Sequence, residues 1–397
     1  MRVLIFNSDY PSYMRWLYAR NPGLYQASYA KQLAARNDTL FGVADFYSRN
    51  FIACGHQAAE IIVNNIWLQS AWAREHGMAV PDPGSPLSRE NIEGSDLVMR
   101  LKRRLRPYKS MLTPIAKRLG FVLALTPLER QILLAQIEEF QPDVILNQEL
   151  DAVDGSIARA VKRPGRVLIA QCGNQPPADL DVTPYNFGIS LIPWVVDFYR
   201  SKGLPGENCH LAFEPSVLDR LGPAPAKDVD VSFVGGLASN HGRRIALLEA
   251  IAREFPIQLW LSNFKGIPAS SPLHACVRGE VWGRDMYDVL RRSKITLNSH
   301  IDAARGMAGN MRLYEATGVG AFLLTDNLSN LPSLFEPGVH VGAYDSVEDC
   351  LVKIRRYLDD ERTRETIARA GQAHTLTHHT YRLRIEELLR LIEKYAH

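Results

Sequence analysis

The chain has 397 residues, 46% of them hydrophobic and 22% charged, with a formal net charge of +3. That length predicts two domains of ordinary size, and the balance predicts a soluble globular protein. So small a positive excess argues against a dedicated nucleic-acid binder, and no apolar run approaches the roughly 20 residues of a membrane span.

The opening MRVLIFNSDY predicts a strand over residues 2–6 that ends in polar side chains, without the long apolar core and cleavage site of a secretory signal. Residues 25–139 read as a long helical region lying outside the core sheet, broken at VPDPGSP. Further strands are expected at 143–146, 167–170 and 188–192. Between 204 and 228 the chain turns rich in proline, glycine and alanine, which predicts an interdomain linker. A second alternation follows: strand 230–234, helix 243–254, strand 257–261, helix 284–292, the strand KITLNSH, a helix opened by Asn310, and the strand AFLLTD. From 346 to the end the pattern is helical, with a break near 374–380. Apolar runs alternating with helical patterns imply parallel sheets covered by helices. The five cysteines (Cys54, Cys172, Cys209, Cys276, Cys350) are scattered and lack CxxC spacing, which favours reduced thiols and a cytoplasmic location.

The stretch 294–326 carries the most chemistry. Asn310 is a good N-cap, and the helix after it places Arg312 and Glu315 in its first two turns. Free N–H groups, the positive end of a helix dipole and a guanidinium together suit a diphosphate. Glu315, one turn on, is placed to accept hydrogen bonds from a ribose diol. The competing reading is an i,i+3 ion pair on a solvated helix face.

The segments LNSH and NMRLYEATGVGAFLLTD resemble the nucleotide-sugar half of GT-B glycosyltransferases, and in particular the spore-maturation CgeB-like branch of the group 1 glycosyltransferases. The likeness includes VSFVGG with HGRR after it, FEPGVHVGAYDSVEDCLVKIRRYLDDERTRETIARAG and the closing THHTYRLRIEELL, so it covers most of 229–389. It implies two Rossmann-like βα domains facing each other across a cleft. An acceptor-side domain is expected over 1–205, completed by helix 380–397, then a linker over 206–228 and a nucleotide-sugar domain over 229–379. The family's retaining members carry two glutamates separated by seven residues; here the position eight before Glu315 is Met307.

Other candidates follow the strand ends, where open α/β sheets bind ligands. Gly235 and Gly236 would let a bound group approach the backbone, and Arg243 or its neighbour Arg244 would meet its charge. Asn298 and His300 end KITLNSH, with His300 a candidate donor, acid or base; Asp302 and Arg305 rank below them. In the first half, Asp9 and Glu149 are the candidate bases, among Asn7, Gln148, Asp151, Gln171, Gly173 and Asn174, with Glu214 a further carboxylate near the linker. The run RLKRRLRPYKSMLTPIAKR (100–118) reads as a weak contact with an anionic membrane, as a solvated helix face or as a grip on an acidic acceptor.

The expected activity is transfer of a sugar from a nucleoside-diphosphate sugar to an acceptor hydroxyl whose identity stays open, with neither a metal nor a separate cofactor. An NAD-dependent oxidoreductase is disfavoured because IFNSDYPSYM lacks the glycines a dinucleotide requires. A nucleotide-sugar epimerase of the same architecture and a catalytically silent sugar-nucleotide binder are the remaining alternatives. Location at the inner face of a membrane and the oligomeric state stay open.

Overall fold

The computed structural model describes residues 1–87, 125–173, 175–177, 179–238, 241–265, 267–300 and 305–396. Among them the strands form two wholly parallel sheets. The first holds β1 (Arg2–Asn7), β2 (Gln57–Ile62), β3 (Val144–Asn147), β4 (Val167–Gln171), β5 (Phe187–Ser190) and β6 (Gly206–Asn208), in the order β2-β1-β3-β4-β5-β6. The second holds β7 (Val229–Ala238), β8 (Ile257–Lys265), β9 (Ser293–Leu297), β10 (Leu323–Asp326) and β11 (Gly342–Tyr344), in the order β11-β10-β9-β7-β8. The chain divides into two compact units: Met1–Asp38 with Ala44–Asn208 and Leu388–His397, and Thr39–Val43 with Cys209–Glu387.

Each sheet is buried by helices, as the near-continuous apolar strands require. In the first unit Leu4, Phe6, Ile61 and Ile145 pack with Leu133 and Ile137 of the helix Pro127–Phe140. A capping box starts that helix: Thr126 Oγ1 accepts from Glu129 N at 3.3 Å, and Glu129 Oε2 accepts from Thr126 N at 2.7 Å. In the second unit Phe233, Leu259, Leu297 and Phe322 meet Leu247, Leu248 and Ile251 of the helix Gly242–Glu254.

Three strands depart from the sequence reading. β2 lies inside the region read as helical, because Gln, Ala and Glu are good helix formers, yet residue-for-residue parallel pairing with β1 overrides that preference. β6 falls within the span read as a linker. It pairs with β5, and a Cβ at Gly206 would come within 2.7 Å of the Val196 carbonyl, so only glycine lets the helix Pro193–Ser201 approach. β11, three residues long, has too short a pattern to show.

The closing helix Tyr381–Tyr395 buries Tyr381, Ile385, Leu388 and Ile392, and from Leu388 onward it belongs to the first unit. Asn186 Nδ2 donates to the Tyr395 carbonyl at 3.1 Å, and Tyr395 OH donates to Glu207 Oε1 at 2.6 Å. The helical break falls at His379–Thr380, where Thr380 bridges Phe213. Among the described residues no helix is long and apolar enough to cross a membrane. The basic run 100–118 lies outside the described residues.

Burial drives one strong titration shift in this fold. Glu60 on β2 is 5% exposed, and desolvation pushes its pKa up to about 7, against the opposing pull of Arg36 and two hydrogen bonds from Ser48. Between pH 4.5 and 7 the folded chain holds a proton that the unfolded chain has lost, so stability present below pH 4.5 is lost as pH rises through 7. The shift corresponds to about 3 kcal/mol. Urea denaturation of Glu60→Gln should therefore match the parent at pH 4 and exceed its stability at pH 8; equal stabilities at pH 8 would contradict this assignment.

Candidate functional site

In the second sheet the chain leaves β7 toward β8 on one side and later returns through β9 to build the other side. β7 and β9 pair from Val229↔Ser293 to Phe233↔Leu297 and then part, while β7 runs on beside β8 to Ala238. A strand-order reversal of this kind leaves a crevice beyond the strand ends that no crossover helix covers. Val234, Gly235 and Gly236 line one side of it, and Asn298, Ser299 and His300 the other. Two arginines tie it together. Arg244 donates to the Gly236 carbonyl at 2.9 Å and, from Nη2, to the Ser299 carbonyl, and Arg312 Nη2 donates to the Val234 carbonyl at 3.3 Å.

Arg312 and Glu315 sit on the helix Met311–Gly318. Their ion pair, Nη1 to Oε2 at 2.9 Å, is the i,i+3 pair that a surface helix would show, but it is inside the protein, the side chains being only 13% and 6% exposed. Burial raises the Glu315 pKa, with Arg312 opposing. Arg312 Nε is buried without a partner. Tyr287, on the helix Gly283–Arg292, is fully buried beside them, and its pKa is pushed up by burial and then by the Glu315 charge. Gly318 ends the helix against Phe213, whose ring would lie 2.3 Å from a Cβ there.

Asn310 caps this helix, its Oδ1 accepting from Leu313 N at 3.3 Å. It also pairs reciprocally with Asn298: Asn310 Nδ2 donates to Asn298 Oδ1 at 2.8 Å, and Asn298 Nδ2 donates back at 3.2 Å and to Thr325 Oγ1 at 3.1 Å. Asn298 therefore builds the helix terminus from the end of β9. His300 is equally engaged. Nδ1 lies 2.6 Å from Asp326 Oδ1, and Nε2 accepts from Gly309 N at 3.2 Å, which puts the ring proton on Nδ1. Burial works against the Asp326 charge, but the hydrogen bond from His300 prevails and its pKa lies below the usual carboxylate range. With both nitrogens taken, the imidazole positions the loop before the helix.

The first sheet has the same reversal between β1 and β3. Asp9, after β1, is bound by Arg36 through Nη2 at 2.8 Å and Nε at 3.2 Å, and both side chains are almost fully buried, so this carboxylate is committed to an ion pair. Glu149, after β3, is half-buried and accepts from Ser8 Oγ at 2.5 Å. Desolvation raises its pKa, the Ser8 hydrogen bond opposing. Beside it Gln148 donates to Gln171, which donates to Tyr47 OH at 3.0 Å. Asp151 is exposed. Asn174 and Asp302 lie outside the described residues.

Residues 243–390 match the family described as Glycosyl transferase-like. This stretch is a group 1-like glycosyltransferase domain. Among solved structures, a glycosyltransferase of Rickettsia africae aligns at a TM-score of 0.55 and 9% identity, over 99% of this chain and 98% of that one. The sucrose-phosphate synthase of Thermosynechococcus elongatus aligns at 0.56 and 11%, over 99% and 98%. HepE of Anabaena, solved with UDP and glucose, aligns at 0.55 and 12%, over 99% and 100%. At such identities the alignments establish the fold, which is GT-B. No curated protein matches the chain.

In the glycosyltransferase domain the structure gathers Gly235, Gly236, Asn298, His300, Asn310, Arg312 and Glu315 around one crevice. Arg243 is exposed, while Arg244 is the arginine turned inward. Periodicity carried that signal: Arg244, Leu247, Leu248 and Ile251 share one helical face, and all four are buried. Asp326 and Tyr287 were not legible, since an acidic strand end and a core tyrosine have ordinary local explanations. A Cβ at Gly236 would meet nothing closer than Ser262 Oγ at 3.7 Å, so the fold leaves space above the backbone there, at the register shift between Gly235 and Gly236. The Asn310–Asn298 pair yields a direct test. Asn310→Ala should cost about 1 kcal/mol for the lost cap and a further ~1–3 kcal/mol for the stranded Asn298 amide. Chemical denaturation showing a loss below about 0.5 kcal/mol would mean the pair does not hold this terminus.

Proposed function

We propose that the chain transfers a sugar from a nucleoside-diphosphate sugar to an acceptor hydroxyl, with the donor held in the β7/β9 crevice. The observation that carries this is the buried Arg312–Glu315 pair at the start of a capped helix beside the diverging strand ends. Glu315 is suited to accept from a ribose diol. The helix N-terminus, Arg312 and the Arg244 side of the crevice supply positive charge for the diphosphate as the glycosidic bond breaks. Those groups would meet the leaving-group charge in this reading, which calls for no metal. Among the described residues no cluster of three or more histidine, cysteine or carboxylate ligands occurs.

Met307 occupies the place of the first of the two glutamates of retaining relatives, and the carboxylates that could serve as a base for the acceptor hydroxyl include two in the first unit. Glu149 is the better base there, since Asp9 is tied to Arg36. Within the group, NMRLYEATGVGAFLLTD and its flanking segments favour the CgeB-like branch. HepE was solved with UDP-glucose, which makes UDP-sugars the first donors to test.

Two substitutions test the donor site. Glu315→Gln removes the charged acceptor for the ribose and should weaken nucleotide-sugar binding by about one to two orders of magnitude, since a hydrogen bond to a charged group is worth about 1.5–3 kcal/mol. Unchanged affinity in calorimetry would reject the assignment. Arg312→Ala should lower kcat more than it raises KM, because its charge matters most as the diphosphate departs. An effect confined to KM would make Arg312 a ground-state contact only.

A further inference from the structure

The connection from Arg305 to Asn310 leads into the helix Met311–Gly318, and its shape is not one a free chain would keep. Arg305 and Gly306 have φ of 51° and 78°, in the left-handed region that a non-glycine residue seldom adopts. Side chains from two strand ends hold it. From the end of β9, His300 Nε2 accepts from Gly309 N at 3.2 Å, and Asn298 pairs with Asn310. From beyond β10, Asn330 makes a reciprocal pair with the backbone of Ala308: Oδ1 accepts from Ala308 N at 2.6 Å, and Nδ2 donates to the Ala308 carbonyl at 2.9 Å. Ser329 Oγ, next to it, lies 3.4 Å from the Gly306 carbonyl and 3.6 Å from Met307 Sδ.

Asn330 stands immediately before the short helix Leu331–Leu334, where an asparagine ordinarily uses its side chain as the cap, yet it makes no cap hydrogen bond there. Its amide reaches instead to a residue 22 positions earlier in the chain. Ala308 is 1% exposed, so its N–H and carbonyl need partners inside the protein, and one amide side chain supplies both. Ala308 and Gly309 run directly into Asn310, the cap of the helix Met311–Gly318. The first turn of a helix has N–H groups without intrahelical partners, and the backbone that enters the turn sets their direction. Asn330 therefore fixes, from far along the chain, where those groups point.

We infer that Asn330 is a positioning residue of the donor site: by holding Ala308 it presents the N-terminus of the helix Met311–Gly318 to the diphosphate of a nucleotide sugar. The inference rests on the donor reading of the β7/β9 crevice and adds to it a residue that acts through the backbone rather than on the ligand. His300 and Asn298 hold the neighbouring residues, so without Asn330 the connection keeps those ties and loses orientation rather than the fold. A binding surface that is already ordered in the free protein loses less affinity to ordering, and this is what Asn330 contributes.

The test uses the full chain with UDP, GDP and ADP, the tightest of which is then compared with its own nucleoside, by calorimetry and saturation-transfer NMR. Asn330→Ala should weaken the diphosphate about tenfold and the nucleoside by less than about twofold, because the nucleoside lacks the group that the helix end faces. Amide hydrogen exchange at Ala308 and Gly309 should rise in the same variant. Ser346→Ala is the control for general loosening. It removes the cap of the helix Val347–Asp359, where Ser346 Oγ accepts from Asp349 N at 3.1 Å, and should leave diphosphate affinity at the parent value. Should Asn330→Ala not fold, Asn330→Ser, whose shorter hydroxyl cannot span both backbone groups, carries the same comparisons. The inference is overturned if Asn330→Ala binds the diphosphate within about twofold of the parent, if exchange at Ala308 is unchanged, or if affinity falls equally in Ser346→Ala. An equal fall for nucleoside and diphosphate also overturns it; where the nucleoside is too weak to detect on the parent, the Ser346→Ala comparison decides. Glu315→Gln separates the two readings. Weakened binding in Glu315→Gln with parent-like binding in Asn330→Ala removes this inference and keeps the donor site. Parent-like binding in Glu315→Gln, or no binding of any diphosphate, rejects the donor reading and this inference with it.

Discussion

Two neighbouring parallel strands whose connections leave in opposite directions cannot both be covered at their ends, and the second unit is organised around that gap between β7 and β9. Backbone carbonyls at Val234, Gly236 and Ser299 are left without sheet partners there, and arginine side chains satisfy them. Arg244 fixes the two sides relative to each other from the helix Gly242–Glu254. Arg312 does the same from the helix that follows β9, while keeping Nε unpartnered within the site. The crevice is thus lined by cations for structural reasons, and those same cations suit a diphosphate.

Buried charge is the recurring cost of this arrangement. An ion pair out of water gains little net stability, because desolvation offsets its attraction, so the Arg312–Glu315 and Arg36–Asp9 pairs are poor candidates for holding the fold together. They differ in what they leave available. Arg36 uses Nε and Nη2 on Asp9, and Nη1 on Asn37 and the Ala44 carbonyl, which makes it an internal brace. Arg312 and Glu315 make a single contact with each other at the end of a helix whose cap is already satisfied by Asn310. That difference separates a structural carboxylate from a candidate ligand contact. It also reorders the candidate bases in the first unit, where Glu149 keeps a single hydroxyl donor, Ser8, on its carboxylate.

Around the helix Met311–Gly318, two side chains that the sequence offers as ligand contacts, one of them also as an acid or base, are engaged in holding the local geometry. Asn298 and His300 stand at the end of β9, where chemistry is expected, yet one completes a reciprocal amide pair and the other links Asp326 to Gly309. A helix terminus can orient a diphosphate only if it is itself held, and these two residues hold it from the strand.

Local pattern determined much of this protein. Alternating short apolar runs and amphipathic helices specify parallel sheets, and the Asn310 cap, the Arg312–Glu315 spacing and the phase of Arg244 with Leu247, Leu248 and Ile251 are all properties of neighbours in the chain. Only the tertiary structure decided the rest. β2 is a strand because β1 pairs with it along its length, although Gln57–Ile62 contains good helix formers, and β6 is a strand because Gly206 fits under the Val196 carbonyl. Whether an acidic side chain at a strand end is a base, a brace or a ligand contact depends on which distant group faces it: the Arg36 guanidinium for Asp9, the Ser8 hydroxyl for Glu149, the His300 imidazole for Asp326. Those partners are tens to more than a hundred residues away or emerge from another strand, and electrostatic pairing in a folded interior depends on distance in space, which spacing along the chain does not encode.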